Sequence, residues 1–413
     1  MSKISSGTTT ATGLVQTSDT TGNLELQTNN GTTAVTFDTN QNASFAGDVS
    51  INNGNYLSSQ PTFRNLIING DMKIAQRGTS ATGLTSSGYF TCDRWRFLAA
   101  NVGTWTQTQD TDVPSGQGFT SSLKMQCTTA NASLTAGSNG SIITRFEGQM
   151  LQHLKKGTSN AESITMSFWV KSNKTGTYII TLYDGDNNRI IAKSYTIDTA
   201  DTWEKKTITF AGDTTGAFDN DNASSLHVYM WLMAGTDYTS GTLQTTWNGQ
   251  ASANWAVGQV NLADSTSNYI NITGVQLEVG STATPFEHRP YDVELARCQR
   301  YYFYLDDQGG VTNQVINAGF MYDTTRGRFF VTFPTTMRTN PTIVSTNITS
   351  SIEFNLNGTG VFAPSAVLPF GASVSVNGVL LQGTADSGTG SAGESRYVRI
   401  AESGAKIEFD AEL

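Results

Sequence analysis

The chain has 413 residues, and 25 Lys and Arg stand against 34 Asp and Glu, a formal net charge of −9 with His neutral. That balance excludes the broad basic face that a phosphate backbone requires, so no nucleic acid is expected as a partner. Charged residues are only 14% of the chain, and 40 Gly beside abundant Thr, Ser and Asn give an uncharged, hydrogen-bonding surface, while 7 Trp, 14 Tyr and 20 Phe exclude a disordered polymer.

The length suits two to four folded units. The start has no apolar leader, and no run of 18 apolar residues occurs, so neither a signal peptide nor membrane insertion is expected. Cys92, Cys127 and Cys298 are odd in number and far apart, which predicts reduced, buried thiols rather than a disulfide framework.

Residues 1–60 carry short alternating apolar steps, Leu24/Leu26, Val35/Phe37, Phe45 and Val49/Ile51, between turn clusters such as Asn29-Asn30-Gly31. So few apolar residues cannot make a monomeric core, and three copies wound about one axis can, which predicts a trimeric β shaft or attachment segment. Residues 61–290 show stronger period-two patterns, at Leu123/Met125/Cys127 and Ile164/Met166/Phe168/Val170 among others, and predict an antiparallel jelly-roll sandwich. The inward set changes register between Ile272 and Val275, so a bulge is expected at Gly274. Residues 291–302 form the best helical pattern, a connector with Asp292 as its cap and Leu295, Cys298 and Tyr302 on one face. Strand patterns return over 303–413, a smaller β domain. The fold class is therefore all-β.

No site chemistry stands out. His153, His227 and His288 are isolated, and no nucleotide-binding or nucleophile-elbow motif occurs, so no metal, cofactor or catalytic residue is assigned and no enzyme is expected. Asp184-Gly185-Asp186-Asn187-Asn188 resembles the start of a calcium loop but lacks its Gly and closing Glu, and reads as a hairpin turn. Sugars stack on aromatic rings and bond to amides and hydroxyls, and Tyr238, Trp247 and Trp255 lie in a polar stretch. These are the candidate carbohydrate-binding residues, with loop anchoring as the alternative, while Trp95, Trp169, Trp203 and Trp231 lie in strand-like runs suited to a core.

Two segments carry a resemblance. Arg64 to Gly78, with Asn69-Gly70 and Arg77-Gly78, followed by Tyr89 to Trp95 with Asp93-Arg94, resembles the opening of a jelly-roll domain of tailed-bacteriophage fibre proteins. Ile272 to Gly280, with Gln276 and Glu278, continuing to Arg297-Cys298-Gln299-Arg300-Tyr301-Tyr302, resembles its close and also the last strand of carbohydrate-binding-module-like sandwiches. The resemblance implies a homotrimeric virion component, assembled in the host cytoplasm, fixed to other virion proteins through residues 1–60 and contacting a host cell-surface glycan. A head decoration and a glycan depolymerase are the rival readings. Read from the residues alone, the shared positions are architectural: Asn69-Gly70 a turn, and Asp93 with Arg94 or Arg77 a charge pair that holds loops.

Overall fold

The computed structural model describes residues 24–28, 32–39, 43–45, 63–306, 314–346, 352–356, 359–362, 366–369, 373–384, 390–400 and 404–413. The chain divides into two units, Met1–Thr62 and Phe63–Leu413. In the first, β1 (Leu24–Thr28), β2 (Thr32–Phe37) and β3 (Ala43–Phe45) form an antiparallel meander. Leu24 faces Phe37, Leu26 faces Val35 and Val35 faces Phe45, which collects the apolar residues on one side of the sheet. Leu24, Leu26 and Phe45 are exposed there. The strand expected at Val49 and Ile51 lies outside the described residues.

The second unit continues with β4 (Ser80–Leu84), β5 (Gly88–Tyr89), β6 (Arg96–Ala100), β7 (Thr104–Asp110), β8 (Ser122–Thr129), β9 (Asn139–Glu147), β10 (Ile164–Ser172), β11 (Gly176–Asp184), β12 (Arg189–Ile197), β13 (Glu204–Phe210) and β14 (Ser224–Ala234). A helical turn α1 (Thr236–Thr239), then β15 (Asn248–Gly249) and β16 (Tyr269–Val279), complete it. These strands build two antiparallel sheets, six-stranded in the order β13-β10-β16-β8-β7-β4 and seven-stranded in the order β15-β12-β11-β14-β9-β6-β5. The result is a jelly-roll sandwich.

Period-two alternation fills its core. Met125, Cys127, Met166, Phe168 and Ile272 from one sheet meet Phe97, Ile142, Ile180, Leu182 and Val228 from the other in one buried cluster, each large side chain contributing roughly 1.5–3 kcal/mol. The bulge falls where the pattern placed it: Ser167 pairs with Gln276 but Trp169 with Thr273, and Gly274 takes φ +60° against the Phe119 ring, where a Cβ would come within 2.5 Å. All three cysteines are free and buried.

β14 is buried along most of its length because both of its faces are covered. Leu226, Val228 and Met230 point between the sheets, and Tyr229 and Trp231 pack on the opposite face beneath residues 235–260. Trp95 lies in the sandwich core, but Trp231 packs on this outer face, and Trp169 and Trp203 are half-buried, so the strand-like run alone misplaces those three.

The helix α2 (Tyr291–Gln299) follows, with Pro290 at its N-cap position and no side-chain cap. Asp292 does not cap; it lies inside the first turn, where a carboxylate faces the positive end of the helix dipole. Cys298 and Leu295 pack with Ile68, Ile74 and Tyr301. Beyond it lie β17 (Tyr302–Asp306), β18 (Gln314–Met321), β19 (Arg326–Thr332), β20 (Thr342–Thr346), β21 (Ile352–Leu356), β22 (Thr359–Phe362), β23 (Ala366–Pro369), β24 (Gly378–Thr384), β25 (Ser395–Ile400) and β26 (Lys406–Asp410). They pair as β17-β26-β20 and as β22-β21-β25-β18-β19-β24-β23, around a core that includes Met321, Phe329, Phe354, Leu381, Val398 and Phe409. Among the described residues no helix is long and apolar enough to cross a membrane.

Candidate functional site

After β9 the chain makes two 3-10 turns, Gly148–Met150 and Gln152–Leu154, and reverses at Lys155, whose φ is +51°. That reversal and the loop before β14 enclose a cleft of about 420 Å³ lined by Leu151, Gln152, Lys155, Lys156, Thr158, Asn160, Ala217 and Phe218. An adjoining hollow shares Lys156 and Phe218 and adds Trp247, Glu162, Ala211 and Asp213. Trp247 is half-buried, fixed by an Nε1 bond of 2.8 Å to the Ala211 carbonyl.

Lys156 organises the wall between the two hollows. Its ammonium lies 2.5 Å from Asp184 Oδ2 and 3.1 Å from Asp213 Oδ2, and donates to the carbonyls of Thr215 (3.0 Å) and Gly216 (2.6 Å). Its side chain is 5% exposed and that of Asp184 0%, so this is a fully enclosed charge group. Arg189 grips Asp213 through Nε at 2.7 Å and Nη2 at 3.0 Å. Burial pushes the Asp213 carboxyl up, but the bonds from Arg189 and Thr215 and the charge of Lys156 outweigh it and hold the carboxyl below its ordinary value. Asp184 also accepts from the main-chain N–H of Asp186 and Asn187, at 3.0 and 3.1 Å, so the calcium-like motif is the expected turn between β11 and β12. The cleft thus presents the Phe218 ring under a rim of amide and hydroxyl groups, while the Trp247 ring lines only the adjoining hollow of about 20 Å³; both rings lie within 6 Å of the compensated ammonium. Such a surface suits a neutral polyhydroxylated ligand.

The three expected sugar-binding rings do not form one platform. Trp255 is 8% exposed and packs edge-on against Tyr229 (5.2 Å between ring centroids, 90°) and close to Tyr183 (5.3 Å), while Tyr238 lies 5.5 Å from Trp231. These two pin residues 235–260 to the outer face of the seven-stranded sheet, as the anchoring alternative requires. Trp247 packs against the inner core and opens on the small hollow beside the cleft. Phe218, Gln152 and Asn160 went unremarked in the sequence, since no local pattern joins residues so far apart along the chain. A second open groove, about 380 Å³ over β7 and β8, is lined by Thr106, Thr108, Asp110, Lys124 and other polar residues without an aromatic ring.

The motif positions are architectural. Asn69 is fully buried at φ +58°, and its side chain bonds Ile74 N (2.9 Å), Ile74 O (2.8 Å) and Asp93 O (2.9 Å), replacing a simple exposed turn. Gly70 admits no Cβ, which would fall 2.1 Å from the Val275 carbonyl, and Gly78 takes φ +119°. The expected pairing of Asp93 with Arg94 or Arg77 is replaced: the Asp93 carboxylate accepts from both Gln76 nitrogens, and both arginines reach Glu412. Arg77 also meets Asp410 at 3.0 Å and lies 3.6 Å from the Tyr302 ring centroid, while Arg94 lies 3.5 Å from that of Tyr301. Gln276 Nε2 donates to Glu278 Oε1 (2.8 Å), and Glu278 Oε2 accepts from Thr284 Oγ1 (2.6 Å), closing the loop after β16. Arg300 bonds Glu147 at 2.7 and 2.6 Å, tying the end of α2 to β9, and burial lowers the ionisation of Arg297.

No protein-family model matches the chain, and no curated protein matches it. Solved structures do resemble it. The enzymatically active domain of tailspike protein 4 from bacteriophage CBA120 is 12% identical over 52% of this chain and 21% of that one, with a TM-score of 0.28, so the chain spans about a fifth of that structure. A CBM4 structure is 9% identical over 51% of this chain and 97% of that one, with a TM-score of 0.25. The N-terminal CBM22-1-CBM22-2 tandem domain of Xyn10C from Paenibacillus barcinonensis is 11% identical over 82% of this chain and 98% of that one, with a TM-score of 0.26.

Proposed function

We propose that this chain is a tailed-bacteriophage fibre protein, a homotrimeric virion component that attaches through residues 1–60 and contacts host surface glycans with its sandwich. The observation that carries the binding reading is the cleft between Lys155 and Phe218, of ordinary ligand-site volume, with Phe218 as its stacking surface and Gln152, Thr158 and Asn160 as hydrogen-bonding groups. Weak sites of this kind act through multiplicity, since copies on one particle raise avidity without new contacts. Self-association is supported by where large apolar side chains stay exposed: Leu24, Leu26 and Phe45 on the meander, and Val315, Phe320 and Phe330 on strands β18 and β19.

Immunogold electron microscopy of intact virions with antibody against residues 303–413 tests the assignment. Gold on the tail is expected. Gold over the capsid replaces the fibre reading with head decoration, and unlabelled virions overturn the virion assignment.

A further inference from the structure

The outer face of the seven-stranded sheet continues past the part covered by residues 235–260. Strand register sets Tyr183, His227 and Arg145 side by side on β11, β14 and β9, and sets Thr181, Tyr229, Ile143, Arg96 and Tyr89 in the next row. The rings stack along β14: His227 and Tyr229 are 6.1 Å apart at 24°, and Tyr229 and Trp231 are 6.0 Å apart at 22°. Tyr183, His227, Arg145, Arg96 and Tyr89 keep only part of their surface exposed.

Two guanidinium groups lie in these adjoining rows, and that of Arg96 has no carboxylate partner among the described residues. The Arg96 side chain makes no hydrogen bond or ion pair among the described residues, and burial, with the charge of Arg145, holds its pKa below the ordinary value. Arg145 donates through Nη1 to the Leu413 main-chain oxygen at 2.7 Å, which Tyr89 Oη also reaches at 3.0 Å, and its Nε is buried without a partner. The Glu412 carboxylate, whose charge reaches Tyr89, is engaged by Arg77 and Arg94. Arg96 therefore stands unpaired beside a second arginine. That placement costs desolvation and mutual repulsion that an anion would relieve.

We propose that this face is a second saccharide site, distinct from the cleft and selective for acidic sugars, in which Arg96 forks onto the carboxylate of one sugar unit and Tyr183, three strands away across the sheet, supplies a ring for another. The ligand class rests on the glycan-binding reading above; the charge preference does not. A planar guanidinium matches a carboxylate with two parallel N–H bonds, whereas a hydroxyl offers no charge. A phosphorylated sugar presents the same acceptor chemistry and is separated by the assay.

The test is calorimetric titration of the full chain with oligogalacturonate, its methyl ester and a mannose-phosphate oligosaccharide, using the parent, Arg96→Gln, Arg96→Lys and Phe218→Leu. Removing one charged hydrogen-bonding group corresponds to a loss of about tenfold in affinity. The parent is therefore expected to prefer the acid over its ester by about tenfold, Arg96→Gln to erase that preference, Arg96→Lys to keep part of it, and added salt to weaken only the acid. Tighter binding of the phosphorylated sugar, still lost in Arg96→Gln, assigns the same site to phosphate. Thermal melting of each variant excludes misfolding as the cause. Equal binding of acid and ester, or a preference untouched by Arg96→Gln, overturns the acidic site while leaving the glycan reading standing. No binding of any sugar overturns both.

Discussion

Lys156→Met removes the ammonium from between two enclosed carboxylates while keeping most of the side-chain volume. Both partners are buried, Asp184 at 0% and Asp213 at 4% side-chain exposure, so water cannot take over the lost interaction. Breaking a buried pair by deleting one member costs about 3–5 kcal/mol. The lower end, about 3 kcal/mol, applies here, because Asp184 keeps its Asp186 and Asn187 hydrogen bonds and Asp213 keeps Arg189. Urea unfolding of the full chain measures the loss. A double-mutant cycle with Asp184→Asn, which neutralises the stranded carboxylate, should return a coupling of about 2 kcal/mol. A loss below about 1 kcal/mol, or a coupling near zero, would refute the claim that this charge group holds the cleft wall.

The other predictions concern the seven-stranded sheet and its clamp. Burial first, and the charge of Arg145 second, push the His227 imidazole from 6.5 down to about 3, so the folded state binds fewer protons than the unfolded chain. Stability from this residue is complete above pH 6.5 and falls by about 1.4 kcal/mol per pH unit as the solution is acidified toward 3. His227→Phe, which retains the ring, should remove one proton's worth of slope in that window, and an unchanged slope in pH-dependent unfolding would mean the imidazole titrates normally. Glu412→Gln strips the shared carboxylate from Arg94, which is 1% exposed, and from Arg77, and should cost about 3 kcal/mol in the same unfolding assay. A loss within about 0.5 kcal/mol would show that the arginine stacks on Tyr301 and Tyr302 suffice without the carboxylate.

Much of the fold was legible because period-two burial is a local signal. Met166, Phe168 and Val170 announce their inward face within five residues, and the register change at Gly274 announces its bulge. β14 was read less well, since a strand covered on both sides loses the alternation that distinguishes inside from outside, which is why Trp231 falls on the opposite face from Trp95. Asp292 failed as a cap because Pro290 enters the helix first. The site was less legible still. Trp247 and Trp255 look alike in sequence, eight residues apart in a polar stretch, and only packing separates a ring that borders a small hollow from one that pins a loop. The acidic partner of Arg77 and Arg94 is more than 300 residues away, at Glu412, beyond any local motif. Arg96 carried no signal at all, because an unpaired charge is visible only once every neighbour has been placed.

The central claim is that the cleft between Lys155 and Phe218 binds glycan, and calorimetric titration of the parent and Phe218→Leu with a neutral oligosaccharide selected on a glycan array tests it most directly. Loss of a stacking ring should weaken binding by about tenfold, the equivalent of about 1.4 kcal/mol, with circular dichroism showing that the variant, though less stable, is folded at the temperature of the titration. Equal affinity in the two proteins would contradict the account and place sugar recognition elsewhere on the sandwich.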